Sequence, residues 1–193
     1  AALQVDPGAI TLEELGRFVN LPALAGREEQ YAKELRELRA IWAADRSYLA
    51  VGRHLARTRP ADGDLFLLYL RGLDMVCHQY WRYWQPDKSA VAVSAEERAI
   101  FGGVVKRYYE FADEMIGEAL SWFPPDRPAV VLSDHGFYGS RHRKRGWTLG
   151  TEEHRREGVF VVRAPAYAAG ARGGSLELLD VAPTMLSLLG LPA

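Results

Sequence analysis

The run Asp64-Leu65-Phe66-Leu67-Leu68-Tyr69-Leu70-Arg71-Gly72-Leu73-Asp74-Met75-Val76-Cys77-His78 decides how this chain is read. An unbroken apolar stretch from Leu65 to Leu70 is the mark of a strand buried on both faces. A helix is expected to follow from near Asp74. On a helix, Asp74 and His78 are four apart and lie on one face, one turn from each other. The pair combines a hard oxygen with a borderline nitrogen donor, which suits zinc or manganese. Taken alone, Asp four residues before His is more often an exposed ion pair of little energetic weight.

Two further segments repeat the pattern. Ala129–Leu132 reads as a short strand, and Asp134-His135-Gly136 follows it, at the carboxyl end where open α/β sheets bind ligands. Adjacent residues in extended backbone point to opposite sides, so Asp134 and His135 either bracket a site or reach one ion by a bend that Gly136 permits. The competing reading is a loop-capping Asp and a packed His. His154 stands just before a third apolar run, Gly158–Val162. Its neighbours Glu152, Glu153, Arg155, Arg156 and Glu157 suit a surface histidine. Together, three strand ends that each carry a ligand type make a metal site the better reading. His54, in a helix, and His142, in an Arg-rich loop, are set aside.

The rest of the chain supplies the frame. Thr11 to Glu14 matches a capping box, as does Ser94 to Glu97, which opens a helix expected to run to about Trp122. Between Arg27 and Arg57, the residues Tyr31, Leu35, Leu38, Trp42 and Leu49 recur at spacings of three, four and seven, an amphipathic helix. Asp180 is placed to cap a last helix, Pro183–Leu189, ended by Gly190 and Pro192. Strands alternating with helices imply an α/β layer, a largely parallel sheet flanked by helices. The segment from Gly136 to Glu157 is a long loop, and loops of that length are usually functional.

With 193 residues, the chain is long enough for one domain with a real core. Lys plus Arg total 24 against 25 for Asp plus Glu, so net charge gives no drive toward nucleic acid or a membrane surface. The single cysteine, Cys77, allows no internal disulfide and reads as packing. No stretch approaches the roughly 20 apolar residues of a membrane span, and Ala1 to Asn20 lacks the features of a signal peptide. The compartment is left open, because the chain is expected to be a piece of a longer one. Arg141-His142-Arg143-Lys144-Arg145 is a candidate for steering an anionic substrate, against a solvated loop as the plainer reading. Tyr80-Trp81-Arg82-Tyr83-Trp84 could stack a base, but core packing is preferred.

Four segments resemble the alkaline phosphatase superfamily, and within it the type I phosphodiesterase / nucleotide pyrophosphatase family: Tyr69 to His78, Val131 to Gly136, His154 to Phe160, and Leu179 to Thr184 through Pro192. The resemblance implies an alkaline-phosphatase-like fold and a metal-dependent phosphoesterase with two divalent ions, zinc or alternatively manganese. By carry-over, Asp74, His78 and His154 hold one ion, and Asp134 and His135 help hold the other. The implied substrate is a small-molecule phosphate ester, with no nucleic acid partner. The family completes the second site with an Asp and a Thr or Ser nucleophile on earlier strands, for which this sequence has no match; Thr11 and Thr58 sit in helical or loop contexts. Residues 1–193 are therefore expected to be the C-terminal part of a catalytic domain, inactive alone. The alternatives are a phosphomutase or sulfatase of the same superfamily, or a non-catalytic metal-binding module.

Overall fold

The computed structural model describes residues 3–59, 65–140 and 152–192. Two short helices, α1 (Leu12–Leu15) and α2 (Leu21–Leu24), lead into the 27-residue α3 (Ala32–Thr58). The capping box at α1 forms as its spacing dictates: the Thr11 amide donates to Glu14 Oε2 at 2.8 Å and the Glu14 amide donates to Thr11 Oγ1 at 3.1 Å. Every residue of the stripe assigned to α3 is buried, Tyr31, Leu35, Leu38, Trp42 and Leu49 alike. Helix α4 (Gly72–Trp84) carries Val76, Cys77, Tyr80 and Tyr83 into the same core. Tyr80, Trp81 and Tyr83 are buried, so the aromatic run after His78 is mainly packing.

The helix opened by Ser94 is two helices, α5 (Ala95–Phe101) and α6 (Val104–Ser121). Gly102 ends the first and Gly103 begins the second. Two adjacent glycines weaken a helix enough for packing to break it there. Phe18, between α1 and α2, meets Trp42 of α3 and Tyr108 and Phe111 of α6 at edge-on or tilted angles. The buried core is thus helical, running from Ile10 to Met115.

The expectation of a strand at Asp64–Leu70 is corrected, with Asp64 itself outside the described residues. Residues 65–70 form no regular element and belong to no ladder among the described residues. Their side chains alternate: Leu68 and Leu70 pack on the core, while Leu65, Leu67 and Tyr69 stand 50%, 77% and 68% exposed. An unbroken apolar run cannot report whether both faces are covered, and here helices cover only one.

The remaining strands are β1 (Ala129–Ser133), β2 (Gly136–Gly139), β3 (Glu152–Arg155) and β4 (Val159–Arg163). β1 pairs antiparallel with β4, and β2 antiparallel with β3, so the described residues form no parallel ladder and the largely parallel sheet expected from the element order is not what they build. The physical reason lies in the connection. A parallel return needs a crossover back to the start of β1, usually through a helix. Here the chain leaves β1, makes the β2–β3 pair, and re-enters beside the carboxyl end of β1, with Val159 opposite Ser133. Gly158 makes that re-entry possible, since a Cβ there would lie 1.9 Å from the Ser133 carbonyl oxygen.

The segment from Gly136 to Glu157 is therefore not all loop, because β2 and β3 occupy its two ends. The basic run Arg141–Arg145, with His142, lies outside the described residues. Helix α7 (Val181–Leu188) closes the chain. Asp180 precedes it, yet its side chain makes no capping bond to the helix and accepts instead from the Glu177 amide at 2.8 Å. No described helix is long and apolar enough to cross a membrane.

Candidate metal centre

Helix α4 and the β2–β3 pair face each other, and the chemistry collects between them. On α4, Asp74, His78 and Trp81 follow one another at helical spacings of four and three, forming one face. On the other side, Asp134 and His135 lie in the bend between β1 and β2, and Phe137 is on β2. Phe137 is directly opposite His154 across the ladder, so the two share one face.

Three imidazoles converge on one carboxylate. Asp74 Oδ1 lies 3.5 Å from His78 Nε2, 3.7 Å from His135 Nε2 and 3.9 Å from His154 Nε2. His78 Nε2 and His154 Nε2 are 3.0 Å apart, and the rings of His135 and His154 stack with centroids 3.7 Å apart. Asp74, His135 and His154 each offer a ligand atom, all within 4.8 Å of one another. Asp134 is brought alongside but not inside: its Oδ1 is 3.7 Å from His135 Nε2, and its side chain is 68% exposed. His54, set aside from the sequence, is exposed on α3.

Two observations test whether these residues fit a divalent cation. Asp74 Oδ1 is buried and accepts no hydrogen bond among the described residues, although three nitrogens surround it at distances beyond hydrogen bonding. A buried carboxylate oxygen without a partner is costly, and a cation is one remedy. His135 Nδ1 is 3.2 Å from the Gly136 carbonyl oxygen. A carbonyl can only accept, so Nδ1 carries a proton there and Nε2 is the ring nitrogen turned toward Asp74. That is how metal-binding histidines are usually oriented. The donor set, imidazole nitrogen plus carboxylate oxygen, suits zinc.

Burial holds the imidazole pKa of His154 below its usual value, helped by His135 and His78, while Asp74 pulls the other way. Burial and crowding by like rings both favour the neutral, ligating form. Phe137, which the sequence analysis did not single out, closes one side of the cluster. Its ring meets His78, His135 and His154 at centroid distances of 5.0, 5.2 and 5.0 Å, and it stacks on Trp81. The one signal in the sequence was its place two residues after His135.

The family model for type I phosphodiesterase / nucleotide pyrophosphatase matches residues 22–171, taking in α4 and all four strands. No curated protein and no solved structure matches the chain.

Proposed function

The chain belongs to the type I phosphodiesterase / nucleotide pyrophosphatase family, part of the alkaline phosphatase superfamily, and on that premise we propose that its histidine cluster is the metal centre of a phosphoesterase. The observation that carries the reading is Asp74 Oδ1, buried without a hydrogen bond and faced by three imidazole nitrogens. Asp74, His78 and His154 hold the first ion. His135 borders it, and with Asp134 contributes to a second ion. Divalent metal bound there, zinc before manganese, supplies Lewis-acid stabilisation of charge on phosphoryl oxygens and lowers the pKa of an oxygen nucleophile. The chain's own part is to hold the imidazoles in place, keep water from one flank with Phe137, and leave the exposed edge of His154 open to substrate.

The substrate class is a small-molecule phosphodiester or pyrophosphate, and the residues described here are the C-terminal part of the catalytic domain. Exposed apolar side chains support that second statement: Leu65, Leu67 and Tyr69 on the 65–70 run, Leu132, Val159 and Val161 on the β1–β4 pair, Leu186 on α7 and Leu189 at its end. Apolar exposure on that scale marks a surface that another part of a protein covers. The nucleophile and remaining ligands belong to that part.

Elemental analysis of the purified chain, combined with hydrolysis of a nitrophenyl phosphodiester, tests the reading. The expected result is bound divalent metal that Asp74→Asn abolishes, no hydrolysis by residues 1–193 alone, and metal-dependent hydrolysis once the upstream polypeptide is restored. Absence of bound metal would instead favour a non-catalytic module, and hydrolysis by residues 1–193 alone would place the nucleophile within them. A sulfatase or phosphomutase of the same superfamily would leave the phosphodiester intact with upstream residues present.

A further inference from the structure

Behind the histidine cluster lies a buried carboxylate with no part in it. Asp45 is 1% exposed in the middle of α3. It occupies the gap between Trp42 and Leu49 in the apolar stripe, where helical spacing calls for a hydrophobic residue. Both oxygens are used. Oδ1 accepts from the Gly72 amide at 3.0 Å, and Oδ2 accepts from the Tyr108 hydroxyl at 2.9 Å.

Gly72 and Arg71 begin α4. The first turn of a helix leaves amides without intrahelical partners, and the N-cap residue Arg71 supplies no side-chain bond to them. Asp45 supplies it from 27 residues upstream, with its negative group at the positive end of the helix. Space for the carboxylate exists only because residue 72 is glycine: a Cβ there would fall 2.1 Å from Asp45 Oδ2 and 2.3 Å from the Tyr108 hydroxyl. A Ser or Asp at position 71 would cap the amide of Leu73 or Asp74 from within the same turn and without a buried carboxylate. What a cap from α3 adds is location. It ties the start of α4 to α3 and, through Tyr108, to α6.

We propose that Asp45, together with Tyr108, is a positioning residue for the metal centre: by clamping the first turn of α4 it sets Asp74 and His78 against His135 and His154. The proposal rests on the metal reading above. Asp74 is two residues past the clamped amide and His78 one turn further, so a slip of α4 moves both together. Metal and catalytic constellations tolerate displacements of only about 0.5 Å. His135 and His154 come from the strand side and would not follow.

Cobalt titration of the full chain, read by visible absorption, tests this with Asp45→Ala, Asp45→Asn and Tyr108→Phe, each checked for folding by circular dichroism. Asp45→Ala is expected to weaken cobalt binding about tenfold, the lower end of what loss of supporting contacts does to metal sites, and to change the absorption band. Asp45→Asn keeps an acceptor for the Gly72 amide and should recover most of the affinity. Tyr108→Phe removes one hydroxyl and should shift binding the same way by less; it carries the test if Asp45→Ala does not fold. Folded variants with wild-type affinity and spectrum overturn the proposal. If the wild-type protein binds no cobalt, the metal reading falls, and the clamp is read from the nuclear Overhauser contact between the His78 and His154 rings. Loss of that contact in the folded variants supports positioning, and its persistence overturns it.

Discussion

The Nε2 atoms of His78 and His154 lie 3.0 Å apart although 76 residues separate them. Two neutral rings at that distance share a single proton, and two protonated rings repel. A cation that accepts both lone pairs would replace that shared proton and also give Asp74 Oδ1 a partner.

Metal should therefore stabilise the folded chain by mass action. At free zinc about 100-fold above its dissociation constant, the gain is about 2.7 kcal/mol. Thermal unfolding with zinc and then with excess chelator should differ accordingly. His154→Ala should erase most of the difference, and a variant that keeps the full zinc shift would remove His154 from the centre.

Stability should fall on mild acidification. The folded-state pKa of His154 is below its ordinary value, so near and below about pH 6.5 the unfolded chain binds the proton more readily. Stability thus rises with pH across that window. Going down, it is lost from about pH 6.5 to the lowered folded pKa, and the loss then levels off. Urea midpoints of the metal-free chain between pH 8 and 5 should show this decline, shallower in His154→Gln. An identical decline in the variant would assign it to other groups.

Gly158→Ala should separate β4 from β1. The added Cβ would lie 1.9 Å from the Ser133 carbonyl oxygen, a backbone atom that cannot turn aside. A loss of about 3 kcal/mol is expected, at the upper end of ordinary overpacking, with urea unfolding as the measurement. A loss near zero would mean that the close approach of Gly158 to β1 is not held in solution.

Phe137→Ala should loosen the cluster as well as the fold. The half-buried ring touches three imidazoles and Trp81, so a stability loss of about 2 kcal/mol is expected, less than for a fully buried aromatic. Zinc affinity should fall in parallel, and Phe137→Leu should restore part of both. Unchanged zinc affinity in Phe137→Ala would reduce the ring to ordinary packing.

Leu67→Lys and Val161→Lys should act in opposite directions in two contexts. Both residues are exposed in residues 1–193, so in this chain alone the substitutions should reduce self-association by light scattering with little change in unfolding midpoint. In the longer polypeptide they should lower stability, because the same side chains become buried. Equal tolerance in both contexts would contradict the covered-face reading.

Local spacing made much of this legible. The α3 stripe, the capping boxes at Thr11 and Ser94, and the shared face of Asp74 and His78 all depend on covalent geometry within one element. The donors themselves were readable as residue types at the ends of apolar runs. The pairing direction of β1 and β4 was not, because helix–strand alternation does not say where a returning chain re-enters. Nor did the apolar run at 65–70 disclose that only one of its faces is covered.

By itself, the sequence determined which groups could bind a metal, the family that groups them, and the helices that present some of them. Only the tertiary structure decided that His135 and Phe137 meet His154 while Asp134 stands exposed beside them, and that Asp45, absent from any motif, bonds the start of α4. The reason is physical: side-chain direction along one helix or strand follows from its period, whereas contacts between residues 27 to 76 positions apart exist only once register and packing have been chosen.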